Sequence, residues 1–267
     1  QFEQSIARWN GSRYGIMVNS GSSANLLMVD LLRKKYNLQD GDEVLVPAVT
    51  WTTTIYPLLQ HHLKPVFCDV DGSFNIDINS MKRMLTAKTK AVFAVHLLGQ
   101  AANMAAIEQF CQEHPLLLIE DCCESMGASW KGKRVANFGS MGSLSFYFGH
   151  HMTTIEGGMI LTSDFETADI LKSTRSHGLV KKSARVDNYP EFPDKNFIFD
   201  MTGYNLRSTN INAAIGLAQF RKLDQWISIR RQTHQRFLER IKELDVISQK
   251  VALKESTSFC LPLNVMA

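Results

Sequence analysis

His150 and His151 stand side by side, and His150 lies six residues before Glu156-Gly-Gly158. An imidazole takes up and returns protons near neutral pH, so it suits general acid–base chemistry. As a metal site the pair is poorly built. Adjacent side chains in a strand or turn point different ways, and no Asp or Cys stands at ligand spacing. No metal is expected. Ile119-Glu-Asp-Cys-Cys-Glu124 follows an apolar run and supplies two more ionisable candidates, Asp121 and Glu124. Asp121 would fall at the carboxyl end of a strand, where sites form in open α/β sheets; a solvated loop acid is the plainer reading. Asn19-Ser-Gly-Ser-Ser-Ala24 sits between a strand-like and a helical stretch. Gly21 lets the backbone approach a ligand, and Ser22 and Ser23 offer hydroxyls and N–H groups at a helix N-terminus, which suits phosphate. The same residues also suit an ordinary serine N-cap. Trp51, in Val49-Thr-Trp51, offers a flat ring for stacking or for core packing.

These residues need a scaffold, and the hydrophobic pattern supplies one. Strands are expected at Tyr14–Val18, Glu43–Pro47, Pro65–Val70, Ala91–His96, Leu116–Glu120, Ser143–Phe148 and Gly158–Leu161. Helical patterns lie between them at Ser23–Lys35, Trp51–His61, Ile78–Leu85 and Met104–Glu113. The alternation predicts an α/β fold with a mostly parallel central sheet flanked by helices. Near-continuous Val, Ile and Leu runs fit strands buried on both faces. After residue 203 two long helices are expected, Asn210–Asp224 and Trp226–Leu244. The polar tract Lys181–Asn196, with its prolines, reads as a surface loop or flap. The chain is divided into a large domain, residues 1–224, and the start of a smaller C-terminal domain, residues 225–267. Both ends look cut: the first residues, Gln1–Trp9, already read as a helix without an initiator Met, and Asn264–Ala267 follow a strand-like stretch. Most of the small domain is therefore expected to be missing.

Composition narrows the function. At 45% hydrophobic and 21% charged residues, the chain matches an ordinary globular enzyme. A net charge of +3 with no basic stripe argues against nucleic acid and against an anionic membrane surface. Five cysteines form an odd set without Cys-x-x-Cys spacing. That argues against a disulfide framework and for a reducing, cytoplasmic compartment. No apolar run is long enough to span a bilayer.

Taken together, these segments resemble the DegT/DnrJ/EryC1/StrS sugar aminotransferase and dehydratase family, fold type I of the pyridoxal phosphate (PLP) enzymes. The usual pattern is Ser-Phe, then a cofactor lysine six residues before Glu-Gly-Gly. In Ser145-Phe-Tyr-Phe-Gly-His-His-Met-Thr-Thr-Ile-Glu-Gly-Gly158 the lysine position carries His150. Lysine there forms a Schiff base with the cofactor; imidazole keeps proton transfer and loses the tether. The resemblance places this chain in the branch that removes the C3 hydroxyl of nucleotide-diphospho 4-keto-6-deoxyhexoses, which carries a His-His pair at this point. It implies that Gly21, Ser22, Ser23 and Ser145 bind the cofactor phosphate and that Trp51 stacks on the pyridine ring. Asp121 would hold the ring nitrogen protonated. Glu124, where amino-transferring members usually have Gln or His, would meet the ring-hydroxyl side. Asn205, in Gly203-Tyr-Asn-Leu-Arg207, would reach the phosphate of a partner subunit's cofactor, with Arg207 near an anionic group. A homodimer follows from that placement. No role is assigned to His177 or His151.

The implied reaction uses pyridoxamine phosphate (PMP) held without a covalent tether, with His150 as the acid/base and L-glutamate as the amino donor. The product would be a 4-keto-3,6-dideoxy sugar. A related branch also has His here but carries an iron–sulfur cluster, which needs several cysteines. Cys123 matches one of them and the next cysteine is Cys260, so no cluster is expected. Two other readings stay open: an ordinary sugar aminotransferase, and a PLP-fold regulator without catalysis.

Overall fold

Short apolar runs alternate with capped helices along the chain, and the runs pair into one sheet. The computed structural model describes residues 1–181, 183–243 and 246–265. The strands are β1 (Tyr14–Val18), β2 (Glu43–Pro47), β3 (Lys64–Cys68), β4 (Thr89–Val95), β5 (Leu117–Asp121), β6 (Ser129–Trp130), β7 (Lys133–Arg134), β8 (Met141–Ser145) and β9 (Gly158–Thr162). Seven of them form the central sheet in the order β1-β9-β8-β5-β4-β2-β3. Only β9 runs against its neighbours there, antiparallel to both β8 and β1. The pairs β5–β8, β4–β5, β2–β4 and β2–β3 are parallel. β6 and β7 form a separate small hairpin, absent from the sequence expectation because each is two residues long.

The helices are α1 (Phe2–Asn10), α2 (Gly21–Tyr36), α3 (Thr52–Gln60), α4 (Ile78–Met84), α5 (Met104–Glu113), α6 (Phe165–Thr174), α7 (Asn210–Phe220) and α8 (Leu223–Ile241). Alternate strand residues face opposite ways, so the sheet feeds two cores. One holds Ile16, Val46, Phe93, Ile119 and Ile160 with α2 residues such as Leu27 and Leu31. On the other face, Met17, Leu144, Met159 and Leu161 pack with Phe2 and Ile6 of α1, and Val92 and Leu118 with Ile107 and Phe110 of α5.

Several expected boundaries shift. α2 starts at Gly21, because Ser20 and not Ser22 or Ser23 caps it: the Ser23 N–H donates to Ser20 Oγ at 3.0 Å. The strand expected at Ser143–Phe148 ends at Ser145, with the Phe146 N–H still donating to Gly157 O at 2.8 Å. α6, capped by Asp164, was not anticipated. The tract at 181–196 carries two short 3₁₀ turns, Ala184–Asn188 and Lys195–Phe197. Arg185 holds it through Asp169 at 2.6 Å and Asp200 at 2.7 Å. Lys182 in that tract, Leu244 at an expected helix end, and Met266–Ala267 lie outside the described residues. No helix among the described residues is long and apolar enough to cross a membrane.

Beyond α8, β10 (Val246–Ser248) pairs antiparallel with β11 (Leu263–Val265). The stretch between them returns to the carboxyl end of the sheet. Gln249 Nε2 donates to the carbonyls of Ser73 and Leu97, and the Thr257 N–H donates to Gly99 O.

Candidate active site

The parallel strands deliver their carboxyl ends to one edge of the sheet, which is where such sheets leave a crevice. There β1 runs into Ser20, β2 into Thr50 and Trp51, β4 into Leu97, β5 into Asp121, and β8 into Ser145 and Tyr147. A cavity of about 450 Å³ opens between them. Its lining includes Gly21, Ser22, Trp51, Asp121, Glu124, Ser145 and His150, all singled out by sequence. Ser23 sits beside it, inside the Ser20 cap.

Asp121 lies at the floor, 6% exposed. Its Oδ2 accepts from Asn25 Nδ2 and Thr54 Oγ, both at 2.8 Å, and its Oδ1 from the Cys123 N–H at 3.1 Å. A carboxylate with this many donors has a fixed orientation, so the solvated-loop reading of Asp121 fails. Glu124 Oε2 accepts the Leu98 N–H at 2.9 Å. Burial pushes the Glu124 carboxyl up; that N–H opposes the shift and Asp121 adds to it. Trp51 is 69% exposed, so it is no core residue; its ring stands at the cavity wall, ready to stack.

The N-terminus of α2 forms a cradle. A Cβ on Gly21 would lie 2.8 Å from both Cys123 Sγ and Ser145 Cβ, so only glycine leaves this floor open. A Cβ on Gly158 would lie 2.3 Å from Ser20 O, and this explains the second glycine after Glu156: β9 passes against the start of α2. Free N–H groups, the Ser22 and Ser145 hydroxyls and the helix dipole meet here, and together they suit phosphate.

His150 lies in the β8–β9 connection, with its N–H donating to Tyr147 O at 2.9 Å. Its Nδ1 is buried without a hydrogen-bond partner among the described residues. Burial pushes the imidazole pKa down; Asp121 pulls it back up and Arg230 lowers it further. The ring therefore faces the cavity as a neutral base at neutral pH. His151 is 1% exposed and its Nε2 pairs with Thr257 Oγ at 2.9 Å. Burial holds it well below the ordinary imidazole range, helped by Arg230 and His150. That is a structural histidine.

A PLP-type cofactor fits this arrangement: a phosphate cradle at one end, a fixed carboxylate for a ring nitrogen at the floor, and a flat aromatic wall. A model of the DegT/DnrJ/EryC1/StrS aminotransferase family matches residues 1–266. This chain belongs to that family. The GDP-4-keto-6-deoxy-D-mannose 3-dehydratase of Escherichia coli O55:H7 is 41% identical over 268 residues, covering 97% of this chain and 69% of that protein. A crystal structure of GDP-4-keto-6-deoxymannose-3-dehydratase, a histidine-to-asparagine variant with bound GDP-perosamine, matches with a TM-score of 0.94 at 39% identity. A structure of the same enzyme with a trapped PLP-glutamate geminal diamine matches with a TM-score of 0.93 at 39% identity. Each covers 100% of this chain and 71% of the solved one. The fold is that of the type I PLP-dependent transferases.

Within this family member, Asn205 lies outside the chain's own cavity. It is exposed, and its Oδ1 accepts from Arg207 Nε at 3.2 Å. His177 is exposed, with a left-handed φ of 68°, and does not line the cavity. Sequence reasoning missed Asn25, Thr54, Tyr147 and Phe259. Asn25 left a signal, as a polar residue on the buried side of α2; Phe259 left none, because it arrives from the far end of the chain. A second cluster, His96, Glu120 and Cys122, brings its ligand atoms within 4.8 Å of one another. Its hydrogen bonds already use the relevant atoms. His96 Nε2 donates to Glu120 at 3.0 Å and Nδ1 accepts the Ala102 N–H at 3.1 Å. Glu120 also accepts N–H groups from Ala136, Phe138 and Gly139. Burial keeps the Cys122 thiol protonated. This cluster supports the sheet.

Proposed function

We propose that this chain is a PLP/PMP-dependent dehydratase that removes the C3 hydroxyl of a nucleotide-diphospho 4-keto-6-deoxyhexose, with L-glutamate as amino donor, in deoxysugar biosynthesis. One observation carries the reading: an imidazole, His150, lines a cavity otherwise built for PLP, at the position where the family pattern has lysine. Bound PMP would supply an amine for the C4 ketone of the sugar and a conjugated ring to take up an electron pair. Asp121, held by Asn25 and Thr54, would keep the ring nitrogen protonated. Gly21, Ser22, Ser23 and Ser145 would bind the phosphate, Trp51 would stack on the ring, and Glu124 would meet its hydroxyl side. His150 would take the proton from the carbon bearing the amine, and its neutral state at neutral pH equips it for that. Because imidazole cannot hold the cofactor covalently, the amine stays free for the sugar. Overall the sugar loses one oxygen while L-glutamate becomes 2-oxoglutarate and ammonia, so atoms and electrons balance.

A homodimer belongs to the same reading, with Asn205 serving the phosphate of the other copy's cofactor; its exposure outside its own cavity supports this. So does a cytoplasmic location, without nucleic-acid or membrane partners. Residues 1–224 would be the cofactor-binding domain and 225–267 the opening of the smaller one. The test is incubation with PLP, L-glutamate and GDP-4-keto-6-deoxymannose. Equal amounts of 2-oxoglutarate, ammonia and a sugar lacking one oxygen are expected. A 4-amino sugar without ammonia would replace this reading with amino transfer, and PLP binding without turnover on several nucleotide sugars would replace it with a non-catalytic role.

A further inference from the structure

A histidine that acts as a base is ordinarily aimed by a hydrogen bond on the nitrogen that does not react. His150 has no such tether, since its buried Nδ1 lacks a partner among the described residues. Two aromatic rings confine it instead. Tyr147 meets it nearly edge-on, at 5.8 Å and 83°, and Phe259 lies at 5.1 Å and 52°. Phe259 also packs on His151, at 5.4 Å and 33°. The two rings have different standing. Both line the cavity, but Tyr147 shares the loop with His150, whereas Phe259 comes from the returning C-terminal stretch.

That stretch is clamped. The Phe259 N–H donates to Leu98 O at 3.1 Å, the Thr257 N–H to Gly99 O at 2.8 Å, and Ser256 Oγ to the same carbonyl at 2.9 Å. Thr257 Oγ anchors His151. Gly99 makes the approach possible. Its φ is 91°, and a Cβ there would lie 2.6 Å from the Phe259 nitrogen. Leu98 also gives its N–H to Glu124, so one turn ties the cavity's Glu124 to the backbone that carries Phe259.

We propose that Phe259 is a positioning residue: its ring, clamped on the Leu98–Gly99 turn, fixes the plane of the His150 imidazole and shields it from water, in place of a hydrogen-bonded partner. The charged or titratable groups around His150 are Asp121, Cys123 and Glu124 at and just past the end of β5, Glu156, Tyr147 and His151 in its own loop, and Arg230 on α8. None of these changes when Phe259 is replaced.

The catalytic part of this inference rests on His150 being the base; the structural part does not, and two readouts separate them. The first is the titration of His150 followed by nitrogen-detected NMR, without and with PLP. The second is kcat and KM for the nucleotide sugar. Phe259→Leu should raise the His150 midpoint toward the ordinary imidazole range. It should also lower kcat by roughly tenfold to a hundredfold with KM changed less than about twofold, as expected when a reacting group is misaimed. Phe259→Tyr, which keeps a ring, should recover both. An unmoved midpoint and kcat in Phe259→Leu would overturn the proposal, as would equal impairment of the Leu and Tyr variants. If Phe259→Leu does not fold, Thr257→Val decides by the same shift, smaller and in the same direction. A wild type that turns over no nucleotide sugar, combined with a shifted His150 in Phe259→Leu, would overturn the dehydratase reading and leave the positioning role standing.

Discussion

At the scale of single residues, the lysine-to-histidine exchange and the fixing of Asp121 make the sharpest predictions. Wild type with PLP should convert to PMP on addition of L-glutamate, without the absorbance of a Schiff base to the protein. His150→Lys should show that absorbance with PLP alone, and His150→Asn should bind PLP and fail to turn over. Burial lowers the His150 pKa, so the base form survives to more acidic pH than a free imidazole allows. The acid limb of kcat/KM against pH should therefore lie below the ordinary histidine value of 6.5; a limb above it would overturn that direction of shift. Asn25→Ala and Thr54→Val each remove one donor from the Asp121 carboxylate. A hydrogen bond to a charged group contributes about 1.5–3 kcal/mol, so each variant should weaken PLP binding by roughly tenfold or more in a fluorescence titration. The sequence pointed to Asp121 but not to its holders. Asn and Thr recur throughout any chain, and only burial beside a carboxylate distinguishes these two.

At the scale of elements, the cradle depends on β9 passing close to the start of α2. Gly158→Ala would set a methyl 2.3 Å from Ser20 O and 2.6 Å from Gly21 N, both backbone atoms that cannot step aside cheaply. Overpacking of this kind costs about 1–3 kcal/mol. Thermal denaturation should show that loss together with weakened PLP binding. Ser20→Ala, which removes the cap, should cost about 1 kcal/mol. Helix and strand alternation was legible because buried runs and amphipathic stretches differ in period. Tyr14–Val18 and Glu43–Pro47 came out with the expected ends. Where expectation and structure differ, the cause is local. Ser20 outcompetes its neighbours as the cap, β8 ends early so that the His150 loop can form, and the two-residue strands are too short to leave a pattern.

At the scale of the whole molecule, buried ionisable groups couple stability to pH and to the integrity of the sheet. His151 and His234 are both buried, and burial is the first cause that lowers each pKa. The unfolded chain takes up protons at these rings below their ordinary value of 6.5, while the folded chain refuses them. Their contribution to stability is therefore present above that pH and lost as pH falls through it. The melting temperature should drop between pH 7.5 and pH 5.5, and His151→Gln should flatten the drop. Glu120 is fully buried and binds His96 and three backbone N–H groups. Glu120→Ala would strand all of these donors, with an expected loss of about 3–5 kcal/mol in chemical denaturation. By itself the sequence determined the α/β alternation, the family and seven of the residues that line the cavity. These signals are local: apolar period, glycine spacing, and a histidine in a short recognisable segment. Tertiary structure alone decided that Trp51 is exposed at the wall, that Asn25 and Thr54 hold Asp121, and that Phe259 closes on His150. The last two are contacts between segments distant in the chain, as with His151 and Thr257, 106 residues apart. No local pattern encodes such a meeting; it follows from how the sheet orders its strands and where the returning stretch finds hydrogen-bond partners.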